Sequence, residues 1–394
     1  MLLASGATAA PPPVVASTSA ALDLERADAQ FGFDALGELR AESPGANVFI
    51  SPASIALALA MAANGARGET RIAILHALRA DGATIDSLNA ANQTLISRLA
   101  GTQAVQLSIA NALWVQQAFP IVPAFRDTLQ TVYGAQAENL DFRSAAAPAT
   151  INAWAAEHTN DRVKKIVDAI DPTTVVMLAN AVAFKGKWTL PFDPASTLPR
   201  DFTTAKGVVH SLPMMLHAAS YGYVKTGAIE AIRLPYADGS FAMYVVLPRD
   251  AASMQTFLRD LTPDSFDGLL SSLHDGPGTI ELPRFTIEYH ATLNRMLAKL
   301  GMGIAFGSSA NFDGVHPAPP PIEISEVRHA SFLKVDEEGT EAAAVTTIGM
   351  RATAARIEPP PFHMVVDRPF FLAIRDERGG QVLFTGTIAD PAAS

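Results

Sequence analysis

The stretch from Asp336 to Pro361, DEEGTEAAAVTTIGMRATAARIEPPP, constrains this chain more than any other part of it. It is too weakly hydrophobic for a core. It is also too long for an ordinary connection, since structureless links beyond about 12–15 residues are uncommon and often functional. Every second residue from Thr340 is uncharged: Thr340, Ala342, Ala344, Thr346, Ile348 and Met350, small at first and larger later. The other set, Glu341, Ala343, Val345, Thr347, Gly349 and Arg351, carries a charge at each end. This is the alternation of a strand with one buried face. No proline interrupts it before Pro359, so each backbone donor is free to join a ladder. Gly339 supplies a point of bending. A segment that can be both an exposed loop and a sheet strand implies two states for the molecule. A permanent strand, or an alanine-rich helix that happens to alternate, fits the same pattern.

The rest of the chain reads as α+β. Ser51-Pro52 opens a helix, with Ser capping free amides and Pro where no donor is needed. Ala53 to Asn64 is apolar nearly all round, which demands burial, and Gly65 closes it. Thr70 is expected to cap a short helix through Leu78. Three- and four-residue apolar steps predict amphipathic helices near Leu88–Leu99 and Ile151–Asp161. Alternation at Val105, Leu107 and Ile109 predicts a strand through Val115. The apolar runs Val175–Phe184 and Phe241–Leu247 predict buried strands, and Ile280–Ile287 and Val382–Ile388 complete the strands. Helices dominate the first third and strands the last.

Composition excludes several classes. Hydrophobic residues are 49% and charged residues 17%, enough apolar material for a large core and too little charge for a disordered chain. The net charge is −10 and basic residues nowhere cluster beyond Lys164-Lys165, so nucleic acid is not an expected partner. Without cysteine there is no disulfide and no thiolate metal site. Residues 1–20 are Ala/Ser/Thr/Pro-rich and uncharged, a disordered head or a signal remnant: Ala7-Thr8-Ala9 resembles a cleavage site, but the basic n-region of a secretory signal is missing. No membrane span is expected. No G-x-S-x-G elbow, H-E-x-x-H pair or phosphate-loop motif occurs, which argues against an enzyme. His210 and His217 read as surface residues, too far apart for a helical metal pair and without an acidic companion. Gly65-Ala66-Arg67-Gly68 and Gly301-Met302-Gly303 read as turns at helix ends.

Five stretches in order then resemble one family. Glu337-Glu338-Gly339-Thr340-Glu341-Ala342-Ala343-Ala344 is similar to the reactive-loop hinge of inhibitory serpins. Asn47 to Ser54 (NVFISPAS) resembles the start of that family's helix B, and Asn180 to Phe192 (NAVAFKGKWTLPF) its third sheet-A strand with the following turn. His329 stands ten residues before Gly339, as in the fifth sheet-A strand. Val366 to Leu372 (VDRPFFL) resembles the signature after the loop. The resemblance covers about residues 22 to 391, and the even composition from residue 21 to 391 fits a single domain.

The resemblance implies three β-sheets, about eight or nine helices and an exposed reactive-centre loop above sheet A. It also implies a monomeric, cofactor-free serine protease inhibitor that acts as a suicide substrate. The cleaved loop would insert into sheet A and trap the protease as an acyl-enzyme. Counting from Gly339, and back from Glu358-Pro359-Pro360 (which resembles the end of plant-serpin loops), sets the attacked carbonyl on Thr353, with Ala354 following. That bond suits elastase- or subtilisin-like enzymes. Arg356-Ile357 and Arg351-Ala352 are the trypsin-like alternatives. Ser51, Ser54, Asn180 and His329 match the family's shutter, a polar network beneath the point where sheet A opens, and Trp188 matches the breach, where insertion begins. The small uncharged residues Thr340, Ala342 and Ala344 fit the inhibitory branch. A non-inhibitory chaperone- or carrier-type serpin and a bacterial cell-surface interaction domain are the rival readings. Alanine richness and absent cysteine fit a prokaryotic source, and a secreted or periplasmic location is favoured over a cytoplasmic one.

Overall fold

The structure is a computed structural model that describes residues 22–100, 105–340 and 361–393. The described chain opens with α1 (Leu24–Glu42), β1 (Val48–Ile50) and three helices, α2 (Pro52–Gly65), α3 (Gly68–Ala77) and α4 (Ile85–Ala100). β2 (Val105–Gln116), α5 (Pro123–Thr128), β3 (Gln136–Leu140), α6 (Ala147–His158) and β4 (Val176–Lys187) come next. A strand-rich stretch holds β5 (Leu198–Thr203), β6 (Val209–Lys225), β7 (Ile229–Tyr236) and β8 (Phe241–Pro248). After α7 (Ala251–Arg259) and α8 (Pro263–Ser271) come β9 (His274–Pro283), β10 (Phe285–Thr292) and the one-turn α9 (Asn294–Leu297). The last part is β11 (Ile324–Val335), β12 (Gly339–Thr340), β13 (Phe362–Val365), β14 (Phe370–Asp376) and β15 (Gln381–Ile388).

The smaller sheet has the order β10-β11-β4-β2-β3, with β12 added on β4. β4 is the central strand expected from its apolar run: residues 176–184 are buried, β2 lies antiparallel on one side and β11 parallel on the other. One face of this sheet packs on α2, which is buried along almost its whole length as its apolar sequence demands. The other face is a floor of small residues, Ala110, Ala112, Ala179, Ala181 and Ala330, closed by α6 and by Trp114 edge-on to Trp154.

The larger sheet runs β1-β15-β14-β8-β7-β6-β9-β13, with β5 on β6. It accounts for two of the three expected sheets. β6 pairs with β9 from Met214 to Tyr223 but with β7 only over Tyr223–Lys225, so the long β6 is the corner through which two sheets share one ladder.

Three expectations are corrected. The run Ile280–Ile287 is not one strand: it changes sheets at Pro283-Arg284, where β9 ends and the Arg284 amide donates to the Pro213 carbonyl. Thr70 does not cap α3. The helix begins two residues earlier, and the buried Thr70 hydroxyl accepts from the Asn311 amide instead. Gly65 ends α2, as predicted, but for space rather than for a left-handed turn. A Cβ there would stand 2.3 Å from Val315 Cγ2 and 3.0 Å from Phe125 Cε2.

Candidate functional site

The hinge sequence begins where β11 reverses. The Asp336 amide donates to the Gly339 carbonyl at 2.8 Å, and the Gly339 amide returns to the Asp336 carbonyl at 3.2 Å. The Asp336 side chain accepts from the Glu338 amide at 3.1 Å. Gly339 has φ +145°, and a Cβ would lie 2.2 Å from the Gly186 carbonyl oxygen and 2.7 Å from Lys187 Cα. Only glycine fits a backbone pressed this closely on another backbone. The reversal lets Gly339 and Thr340 pair antiparallel with Lys187 and Gly186 of β4. That is just beyond Leu333–Phe184, the last matched pair of β11 and β4.

Trp188 clamps this reversal. Its ring nitrogen donates to the Asp336 carbonyl at 2.9 Å, its amide donates to the Glu338 carbonyl at 3.0 Å, and its ring stacks on Tyr236 at 4.4 Å. Glu337 is buried, accepting from the Thr197 hydroxyl at 2.8 Å and facing Arg284 at 3.4 Å. Its carbonyl also accepts from the Phe192 amide at 2.7 Å. Sequence reasoning did not find Thr197, Tyr236 or Arg284. Each lies far from the hinge along the chain, and its own neighbourhood carries no signal. Glu341, Ala342, Ala343 and Ala344 of the hinge, and Thr353, Ala354, Arg356, Ile357, Arg351 and Ala352 of the candidate bonds, lie outside the described residues.

Lower in the same sheet a polar row crosses three strands. Register sets Asn111 of β2 opposite Asn180 of β4, and Asn180 opposite His329 of β11. The Asn180 amide nitrogen donates to Asn111 Oδ1, to Ser54 Oγ and to the Ser54 carbonyl. Its Oδ1 is therefore the acceptor for His329 Nδ1, which carries the ring proton. His329 Nε2 is then an unprotonated acceptor, buried and without a donor. A proton there would put a charge in a desolvated site with no acceptor, so burial, with a smaller push from His290, lowers the pKa to about 3. His329 is neutral.

Three of the four residues expected in this network touch: Ser54, Asn180 and His329. Ser51 stands one step away. It caps α2 by accepting from the Ser54 amide at 3.3 Å, and its hydroxyl donates to the Leu383 carbonyl of β15 at 2.6 Å. One member, Asn111, was missed, and so was a separate buried hydroxyl nearby in β11. Asn111 was legible as the one polar residue within the apolar run from Ile109 to Val115 of β2. Ser331, whose hydroxyl donates to the Phe49 carbonyl at 2.6 Å, ties β11 to β1.

The two histidines expected at the surface are partly enclosed. His217 is half-buried between the rings of Phe192 and Tyr221 and within 2.5 Å of the Tyr221 hydroxyl, and burial lowers its pKa. His210 does have an acidic companion, Asp390, at 3.5 Å. Among the described residues no three His, Cys, Asp or Glu side chains gather as a metal site, and no helix is long and apolar enough to cross a membrane.

The family model described as serpin (serine protease inhibitor) matches residues 26–391. An uncharacterized serpin-like protein of Methanosarcina acetivorans is 32% identical, covering 94% of this chain and 88% of its own. The leukocyte elastase inhibitor of Bos taurus is also 32% identical, covering 93% of this chain and 99% of its own. Among solved structures, the thermophilic serpin tengpin in its native state superposes with a TM-score of 0.84 at 30% identity, covering 95% of this chain and 96% of its own. Thyroxine-binding globulin in complex with thyroxine superposes with a TM-score of 0.84 at 26% identity, covering 94% and 100%.

Proposed function

The chain belongs to the serpin family, and on that premise we propose that it traps a serine-type endopeptidase as a suicide substrate. Members of this family are generally non-enzymatic protease inhibitors. In the proposed reaction the protease serine oxygen adds to the carbonyl carbon of Thr353. The Thr353–Ala354 C–N bond breaks, and the amino group of Ala354 leaves with a proton from the protease's own general acid. An ester joins Thr353 to the protease. Water completes hydrolysis unless the geometry of that ester is disturbed first.

The disturbance is insertion of the freed loop between β4 and β11. The observation that carries this reading is the register of β12. Gly339 and Thr340 already pair with Lys187 and Gly186 at the point where the two strands part. Continuing that register sets Ala342 opposite Phe184, Ala344 opposite Val182 and Thr346 opposite Asn180. Those β4 residues belong to the face that packs on α2, so the small uncharged set of the loop would enter the core side. A charged residue in that set would be buried unpaired at a cost of several kcal/mol.

In this reading Ser54, Asn180 and His329, with Ser51 behind them, act as the shutter. The Asn180–His329 bond spans the seam that insertion must open. Thr346 brings a hydroxyl to the level of the broken pair, so the buried polar groups keep partners in both states. Trp188 acts as the breach residue that holds the hinge at the mouth of the seam. The driving force is a complete new ladder with one buried face, withheld in the intact chain. Residues 21–391 would act as one domain, and export would bring it to the proteases that it meets. The likeness to thyroxine-binding globulin supports a second reading, a non-inhibitory carrier, against which the small-residue hinge weighs.

Incubation with elastase-, subtilisin- and trypsin-like proteases decides between them. The expected result is an adduct stable on a denaturing gel, with mass analysis of the released peptide starting at Ala354. Thr340→Arg should be cleaved without forming the adduct. Cleavage by every protease with no adduct from the natural chain would leave the carrier reading standing.

A further inference from the structure

Four carboxyl groups among the described residues are buried: Asp28, Glu281, Glu337 and Asp376. Three of them face arginines. Asp376 binds Arg378 at 2.8 Å and Arg98 at 3.2 Å. Glu281 lies 3.3 Å from Arg200 and 3.0 Å from His363. Glu337 lies 3.4 Å from Arg284.

Asp28, on α1 and 1% exposed, meets a neutral amide instead. Gln381 of β15, 0% exposed, donates from Nε2 to Asp28 Oδ2 at 3.1 Å. The other half of that amide, Gln381 Oε1, is buried and has no donor. An acid without a cation and an acceptor without a donor, side by side, are both relieved by one added proton. A proton on Asp28 Oδ1 can be donated to Gln381 Oε1, closing a two-bond acid–amide pair.

We propose that Asp28 is a neutral carboxylic acid in the native molecule, and that with Gln381 it forms a proton-dependent latch between α1 and the β14–β15 hairpin. Arg98 and Arg378 each already bind another carboxylate. Glu25, one turn back on α1, binds Arg98 of α4 at 2.9 Å, and Arg98 also binds Asp376. Arg98 Nη2, its remaining nitrogen, has no acceptor. Arg378, in the hairpin, binds Asp376 through two nitrogens and lies over the Phe241 ring. α2, which packs on α1, has no ionisable side chain.

The electrostatics run the same way. Burial, with Glu25 nearby, raises the Asp28 pKa well above the ordinary carboxyl value, and the single amide bond opposes this only partly. The native chain then keeps a proton that the unfolded chain, titrating near 3.8, has released. The latch contributes fully below that value, and its contribution is lost as pH rises through the native value. None of this depends on the loop or on a target protease.

The test uses the full chain carrying carboxyl-¹³C aspartate. At pH 7 one aspartate signal should remain at the protonated position in the natural protein and vanish in Asp28→Asn. That variant keeps both hydrogen bonds, its amide nitrogen donating to Gln381 Oε1, but cannot titrate. Its melting temperature should exceed that of the natural protein by a margin that widens from pH 4 to pH 9. If Asp28→Asn does not fold, the signal of the natural protein decides alone. Aspartates all ionised at pH 7 would overturn the assignment, and parallel melting profiles would overturn the latch.

Discussion

Acidification should weaken the native state through His329. The unfolded ring titrates near 6.5 and the buried ring at about 3, so the native chain binds fewer protons between those values. The stability contributed by neutral His329 is therefore complete above the unfolded value and drains away as pH falls towards the native one. Between pH 7.5 and pH 5 the loss is about 2 kcal/mol, or roughly 30-fold in the balance between open and closed forms. Opening of the β4–β11 seam, which would wet the ring, should quicken by up to that factor. The assay is the rate of spontaneous loss of adduct-forming capacity, or of the native melting transition at one scan rate, from pH 8 to pH 5. His329→Gln can still donate to Asn180 Oδ1 but has no proton to gain, so its profile should be flatter by that amount. Taking the difference between the two proteins removes the contributions of Asp28, His217 and His290. Identical pH profiles would refute the argument that the row resists charging.

Two further outcomes rest on close backbone contacts. Gly339→Ala forces a Cβ against the Gly186 carbonyl and a φ that L-residues avoid, about 2–6 kcal/mol against the β12–β4 pairing. If the proposed trapping holds, more of the chain should be consumed per protease trapped, read by titration, with an unchanged far-ultraviolet circular dichroism spectrum. Gly65→Ala drives a methyl into Val315 Cγ2 and should destabilise the native chain by about 1–3 kcal/mol, read by denaturant melting. Trapping stoichiometry should not change, because Gly65 lies at the far end of α2 from Ser54.

What could be read from the sequence was what local periodicity encodes. α2 announces its burial through a stretch with no polar face, and β4 and β8 do so through unbroken apolar runs. The grouping of Ser51, Ser54, Asn180 and His329 was legible only through family resemblance, because one histidine or asparagine in an apolar strand is usually a satisfied core residue. Arg284 was invisible for a different reason. Its partner Glu337 is 53 positions away, and nothing around either residue names the other. The joint between β9 and β10 was hidden because each strand keeps an apolar inner face across Pro283-Arg284, so the period survives while the sheet changes. Thr70 misled because a threonine ahead of an apolar run looks like a cap whether its hydroxyl turns to its own helix or to Asn311.

The short ladder of Gly339 and Thr340 on β4 bears on timing. Adding a strand to a sheet from a free, distant segment begins with a search for register, and the ends of the loop must first be brought together. With two residues already matched, that search is over before any bond is cut. Insertion, in the proposed reaction, would then run residue by residue, as a zip does once its first teeth are engaged. In the proposed reaction a trap competes with a water molecule for an ester and needs such a head start, which here would lie in a pair of backbone bonds rather than in any reactive group.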